Sequence, residues 1–414
     1  MDQYIVLRKP RVSSALEHTR PLGLPKSGAE LRAEALPQLE VLSLNDKELV
    51  ETKRDPRVSE VSLVMPTSLI KPVSSDQPNE AADDWGLDAT NAKFSNFKGE
   101  NAVVAVLDTG IDRTHPAFAG MELFEADFTK PKGRREEQGA AADGYGHGTH
   151  CAGTIFGRDV PVGADPANKV RIGVAPGIRK ALIGKVLDDD GFGNSAMIYD
   201  AILWANSFQN GIVDVISMSL GLDFTKMVER FENEEWPPPL AVSKSLVAFR
   251  DNLRLFDSLM ASVEAKAVFD DGVIVIAAAG NQSLADGKPP YRVAASLPAA
   301  ATSIISVGAL AQAGPNTYAV APFSNTFCSV SAPGVNIRSA KQGGGLKFDS
   351  GTSMACPHVA GVAALWWDRL RRESPNGKTS VNKVRNKLMG TLRTTVFMPG
   401  VEVADRGDGL VTAP

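Results

Sequence analysis

Five short, largely apolar runs, residues 103–107, 181–187, 213–220, 273–277 and 304–307, punctuate the chain beyond about residue 95. A strand that alternates apolar and polar residues can leave one face in water, whereas a continuously apolar one must be covered on both faces. Helix-like stretches, residues 195–209 and 240–267 among them, separate the runs. This alternation predicts a doubly wound α/β domain: a mostly parallel sheet with right-handed crossovers and helices on both faces. Ligands of such sheets bind beyond the carboxyl ends of the strands, so chemistry is expected there.

Residues 1–75 read as a separate small α+β unit. Strands are predicted at 4–7, 41–44 and 58–65, a helix-like stretch at 28–39 and a short helix at 46–52. Residues 71–84 are rich in Pro, Ser and acids, with little to bury, and predict a linker. Residues 76–94 then hold the linker and the start of the large unit, and 95–414 the α/β domain.

The strand ends carry polar, Gly-punctuated motifs. Asp108-Thr109-Gly110 follows the first run, Ser219-Leu220-Gly221 the third and Gly280-Asn281 the fourth. Two more stand outside the runs, Gly146-His147-Gly148-Thr149-His150 and Gly351-Thr352-Ser353-Met354-Ala355. An acid, an imidazole and a hydroxyl are the components of nucleophilic acyl transfer. The apolar pattern after Ser353 (Val359, Val362, Ala363, Leu365, Trp366) is helical, and Pro357 is expected in the first turn, where its missing N–H costs nothing. Ser353 then begins a helix, with an unpaired N–H and the positive dipole end facing whatever the hydroxyl attacks. The Asn281 amide is placed to be a second donor to an oxyanion.

Composition excludes other classes. Lys and Arg total 44 against 48 Asp and Glu, a net charge of −4 with no basic stripe, so neither nucleic acid nor an anionic membrane is an expected partner. Three cysteines, Cys151, Cys328 and Cys356, cannot complete a disulfide framework. No run approaches the roughly 18 apolar residues of a membrane span, and the start has only a four-residue apolar run, short of a secretory segment. A cytoplasmic monomer is expected. Neither Gly-x-Gly-x-x-Gly nor a Walker loop follows an early strand, which disfavours a nucleotide-binding protein. The flanks and late position of Ser353 exclude an α/β-hydrolase esterase.

With Asp-Thr-Gly, His-Gly-Thr-His and Gly-Thr-Ser-Met-Ala in the order Asp, His, Ser, the chain resembles the subtilisin-like serine proteases, the subtilases. Ala-Ala-Gly-Asn at 278–281 and Ser-Leu-Gly at 219–221 extend the resemblance over about residues 85–371. It implies a serine endopeptidase working through an acyl-enzyme, with Ser353 as nucleophile, His147 as base, Asp108 orienting the imidazole and Asn281 holding the oxyanion. It also implies that substrate adds as a strand between Gly191-Phe192-Gly193 and Ser219-Leu220-Gly221. Ser296, counted back from Pro298, would floor the primary pocket and leave room for a large apolar side chain. The N-terminal unit resembles the subtilase propeptide, a ferredoxin-like folding aid and a partner to its own enzyme. Its tail, residues 65–70, would occupy the cleft, and self-cleavage of the zymogen is expected between about residues 65 and 85. A pseudoprotease held in its propeptide-bound form is the alternative.

The chain departs from the family in two places. Calcium-dependent relatives usually read His-Pro-Asp after the Asp motif, the Asp being a ligand, whereas this chain has His115-Pro116-Ala117. That leaves too few hard oxygen ligands for the usual site, so no metal residue is assigned, although Asp159, Asp165 and Asn168 lie in a loop able to build another. Residues 223–257 form an insertion, in which Trp236-Pro237-Pro238-Pro239 predicts a rigid turn before a helix. Four simpler readings accompany these. His150 is a packed histidine rather than a metal ligand with His147, Cys151 and Cys356 are buried small hydrophobes, Asp112 and His115 hold a turn, and Asp188 to Asp190 are either a solvated loop or a preference for basic substrates.

Overall fold

The computed structural model describes residues 1–10, 37–73, 84–131, 135–136, 139–162, 167–267 and 271–414. Near the N-terminus, β1 (Asp2–Arg8) lies between two antiparallel neighbours, β2 (Gln38–Leu44) and β3 (Val58–Leu63), and α1 (Asp46–Arg54) connects the latter two. The central place of β1 fits its composition, since Tyr4, Ile5, Val6 and Leu7 are all buried. A capping box starts α1: Glu48 N donates to Asn45 Oδ1, and Asn45 N donates to Glu48 Oε2. This order fits three strands and one helix of a βαββαβ pattern. The helix expected at 28–39 lies mostly outside the described residues, and Leu39 itself belongs to β2. Most of the expected linker, residues 74–83, also lies outside them. Before it, β4 (Pro66–Leu69) leaves the small sheet.

In chain order the large sheet begins with β5 (Val103–Asp108), β6 (Glu122–Asp127) and β7 (Lys180–Lys185). Past the short β8 (Phe192–Asn194) come β9 (Val215–Met218) and the detached β10 (Leu220–Leu222). The sheet ends with β11 (Ile274–Ala278), β12 (Ile304–Gly314), β13 (Thr317–Val320) and β14 (Val330–Pro333). Its order is β13-β12-β11-β9-β5-β7-β6, with β14 also paired to β12, and only the β12–β13 pair is antiparallel.

Both faces are covered. Along β5, Val104 and Val106 share a core with Ile155 of α2 (His147–Phe156), while Ala105 and Leu107 share another with Ile202 of α3 (Ser195–Ser207). Two buried faces explain the unbroken apolar runs, each such side chain contributing about 1.5–3 kcal/mol. After β7 the chain crosses β5 to enter β9, and this reversal opens a crevice beyond the carboxyl ends of β5 and β9.

The insertion forms α4 (Phe224–Asn233) and the first part of α5 (Pro238–Lys266). Prolines fill the first positions of α5, where a missing N–H is harmless. Further along, α5 meets the N-terminal unit: Asn252 Nδ2 donates to Leu63 O at 2.9 Å, and Lys53 pairs with Asp251 at 3.5 Å.

Candidate active site

Asp108 ends β5 and His147 begins α2, so one strand end and one helix start meet at the crevice. His147 Nδ1 lies 2.8 Å from Asp108 Oδ1, with both side chains buried. A carboxylate only accepts, so Nδ1 carries the proton and Nε2 keeps the basic lone pair. The glycines of the two motifs allow this approach, since a Cβ on Gly148 would sit 2.2 Å from the carbonyl oxygen of Gly110, itself at φ +115°. Among the described residues, Asp108 Oδ2 and His147 Nε2 have no hydrogen-bond partner.

Ser353 is the second residue of α6 (Thr352–Glu373). Pro357 falls in the second turn of this helix, not in the first as the sequence pattern suggests. The N–H it lacks would have bonded Ser353 O, and that oxygen instead accepts from Ser219 Oγ at 3.2 Å and Cys151 Sγ at 3.4 Å. Ser353 Oγ points into the cleft, 3.2 Å from Ile70 O and 3.4 Å from Ser219 O.

Strand β4 fills the cleft between β8 and β10 as the middle of three antiparallel strands. Phe192 and Gly193 face Ser68 and Thr67 across one edge, and Leu220 and Gly221 face Leu69 and Ser68 across the other. Leu69 N donates to Gly191 O at 2.9 Å. The buried Ile70 side chain passes Gly221 beside Ser296: a Cβ on Gly221 would lie 3.8 Å from Ile70 Cγ1 and 3.1 Å from Ser296 Oγ. Asn281 Oδ1 accepts from Thr352 N and Oγ1, both at 2.9 Å, which turns Nδ2 toward the cleft, where it donates to Lys71 O at 3.0 Å. Ser353, Asn281, Ser296 and the residues of β8 and β10 expected from the sequence therefore surround β4, while no hydrogen bond joins His147 Nε2 to Ser353 Oγ.

Sequence reasoning missed Asp143. Its Oδ1 accepts from Thr109 Oγ1, Tyr145 N and Gly146 N, and its Oδ2 from Thr149 N and Oγ1, so one buried carboxylate joins the Asp and His motifs. The available signal was an Asp four residues before a helix-starting His, an arrangement suited to bonding unpaired N–H groups. Among the other residues His150 is packed and hydrogen-bonded as expected, whereas Cys151 is more than a small hydrophobe because its thiol donates to Ser353 O. His150 Nε2 bonds Ile337 O at 3.0 Å, and burial lowers its pKa to about 4. Cys151 and Cys356 are buried, and burial raises the pKa of both thiols, that of Cys356 to about 11. Asp112 Oδ1 accepts from Thr114 N within its turn, while Asp112 Oδ2 accepts from Gly343 N and His115 Nε2 bonds Gly345 O, which ties the turn to a distant loop. Asp188 accepts from Phe192 N, and Asp189 pairs with Lys185 at 2.7 Å, so the acidic run serves the turn before β8.

The usual calcium position does not fit a metal ion. Ala117 is buried, and its oxygen accepts from Arg158 N at 2.8 Å. The Arg158 guanidinium donates to the carbonyls of Phe156, Pro176 and Ile178. Backbone oxygens already holding a fixed positive charge, with no carboxylate at Ala117, cannot supply the six to eight oxygens that calcium takes. Asp159 and Asn168 lie on the adjoining loop, and Asp165 is outside the described residues. No helix of the described residues is long and apolar enough to cross a membrane.

Residues 99–409 match the sequence model of the Subtilase family. Alkaline serine exoprotease A of Vibrio alginolyticus is 29% identical over 348 residues, which cover 81% of this chain but only 53% of that protein. Subtilisin of Bacillus pumilus is 35% identical over 271 residues, 65% of this chain and 78% of its own length. Major intracellular serine protease of Bacillus subtilis (strain 168) is 33% identical over 319 residues, 77% of this chain and 83% of its own. A family match across most of the chain, on a sheet whose switch point gathers acid, imidazole and hydroxyl, means that this chain belongs to the subtilase family of serine-type endopeptidases.

Proposed function

We propose that the chain is a serine endopeptidase made as a self-inhibited precursor, and that it cuts itself between Ile70 and Lys71. The observation that carries this reading is the position of β4, which lies in the cleft as an added strand and brings Ile70 O within 3.2 Å of Ser353 Oγ. His147 Nε2 takes the Ser353 proton as Oγ attacks the Ile70 carbonyl carbon. The oxyanion is held by Ser353 N–H at the start of α6 and by Asn281 Nδ2. The protonated His147 then gives its proton to the amine of Lys71, and water releases the acyl-enzyme by the same steps in reverse.

In the precursor the hydroxyl donates to the Ile70 oxygen, and the Asn281 amide is held one carbonyl downstream, on Lys71. This is a resting pose, and attack requires the Ile70 carbonyl to swing from the hydroxyl to the amide. Residues 1–70 act as inhibitor and folding aid, gripped by β8, β10 and α5, and other polypeptides bind as the same strand once they leave. The cut falls inside the expected 1–75 unit, so residues 71–75 stay with the connection, 76–94, and with the enzyme domain, 95–414. Action inside a cell is part of the proposal, supported by three unpaired buried cysteines and by the similarity to a relative named for an intracellular role.

The test is the mass and N-terminal sequence of purified wild-type protein and of Ser353→Ala. The wild type is expected to begin at Lys71, and the variant to stay at full length. A wild type that remains uncut and takes no fluorophosphonate label would instead mark a binding scaffold.

A further inference from the structure

The bound strand meets the insertion at Ser68, the third residue before the proposed cut. Ser68 lies opposite Phe192 on one side and Gly221 on the other. Residues directly opposed in antiparallel strands put their side chains on one face, so Phe192 and Ser68 share the outer face while Thr67 and Leu69 are buried beneath. Asp223 stands two residues beyond Gly221. Its N–H donates to Pro66 O at 2.9 Å, and its Oδ1 caps α4 by accepting from Lys226 N at 3.0 Å. Its other oxygen, Oδ2, accepts from Ser68 Oγ at 3.2 Å.

Lys226, in the first turn of α4, brings Nζ to 3.2 Å from the centroid of the Phe192 ring. These two residues belong to opposite walls of the cleft. Strands two apart in a sheet are separated by about 9.5 Å, so the cation–π contact bridges the bound strand at the level of Ser68.

We propose that the insertion builds a roofed subsite for the third residue before the cut, selective for a small side chain that can donate a hydrogen bond, serine first. The Asp223 carboxylate can only accept, so a hydroxyl satisfies Oδ2, an alanine takes that bond away while Oδ1 stays on Lys226 N and Thr225 Oγ1, and an acidic side chain is repelled. A large side chain must displace Lys226 from the Phe192 ring. The subsite rests on the register that places Ile70 before the cut.

The test uses the self-processed enzyme and octapeptides Pro-Thr-X-Leu-Ile-Lys-Pro-Val with X as Ser, Ala, Asp or Phe, with products identified by mass spectrometry. Cleavage after Ile is expected, with kcat/KM for Ser about three- to tenfold above Ala and at least about tenfold above Asp. Asp223→Ser, which keeps a residue able to cap α4, should bring the Ser-to-Ala ratio close to one and relieve the penalty on Asp. Lys226→Ala should raise the rate for Phe relative to Ser. Cleavage after Ile with a wild-type Ser-to-Ala ratio near one, or with a ratio that Asp223→Ser leaves unchanged, overturns the subsite alone. Cleavage at another bond overturns the register itself, and the subsite with it.

Discussion

Pro357 lies four residues beyond Ser353 on α6, and the hydrogen bond it cannot donate is the one that would have closed on the Ser353 carbonyl. Ser219 and Cys151 take that oxygen instead, tying the peptide unit of the nucleophile to the β9–β10 junction and to the helix of His147. The hydroxyl is the stronger donor of the two. Ser219→Ala should therefore lower kcat about three- to tenfold, the effect of one hydrogen bond of about 1 kcal/mol, while the main chain of β10 still pairs with substrate and KM changes little. Steady-state kinetics on a peptide substrate decide it, and an unchanged kcat would remove Ser219 from the positioning of the nucleophile.

Arg158 puts a permanent positive charge among the carbonyls of Phe156, Pro176 and Ile178. A second guanidinium, Arg171, donates to the carbonyls of Ala92, Gly173 and Val174 and pins the other end of the same connection. A loop held by side chains should not depend on a dissociable ion. The melting temperature of the Ser353→Ala protein is expected to be the same with and without EDTA. Arg158→Ala should lose about 2–3 kcal/mol, several degrees of melting temperature, because the freed carbonyls are partly buried. A large drop in EDTA would show that a metal ion supports the fold elsewhere.

The sheet was legible because burial on both faces forces unbroken apolar runs, and Val104 and Ala105, adjacent in sequence, go to different cores. The strand β6 escaped notice because Glu122, Glu125 and Asp127 break its pattern at the edge of the sheet. The triad was legible through its motifs, since Gly110 and Gly148 are fixed by close backbone approach. The partners of the triad were not. Asp143 joins the two motifs through a bond to Thr109, 34 residues away, which its local spacing does not announce, and the role of Cys151 depends on a carbonyl freed by a proline 206 positions away in sequence. The bridge from Lys226 to Phe192 likewise exists only after the insertion folds back over β4.

Asn281 is oriented by Thr352, whose N–H can only donate and so fixes Oδ1 inward and the amide nitrogen outward. In subtilisin, loss of one oxyanion donor of this kind lowers turnover about 10²–10³-fold. The same order is expected here for Asn281→Ala, both in peptide hydrolysis and in the rate at which residues 1–70 are released. Thr352→Val keeps the main-chain donor and removes the hydroxyl, so a milder loss of about tenfold or less is expected. Time courses of self-processing on gels measure both, and equal losses in the two variants would mean that Thr352 does more than orient the amide.

Two buried histidines make the fold sensitive to acid. Burial lowers the pKa of His150 and of His358 from 6.5 to about 4, with Asp349 opposing the shift at His150 and the Met354 carbonyl opposing it at His358. Below pH 6.5 the unfolded chain binds protons that the native chain refuses, so stability falls as pH drops from about 6.5 to 4, by up to about 3 kcal/mol for each histidine. Above 6.5 neither contributes a slope. Asp214 works the other way, because burial raises its pKa to about 6 despite Arg371, and the native state then holds a proton that the unfolded state releases. Two histidines against one aspartate leave a net loss toward pH 4. Urea midpoints of Ser353→Ala, which cannot digest itself, should fall between pH 7 and pH 4.5, and adding His358→Gln should flatten the fall. A midpoint independent of pH across this range would mean that the histidines are solvated or paired in the native protein.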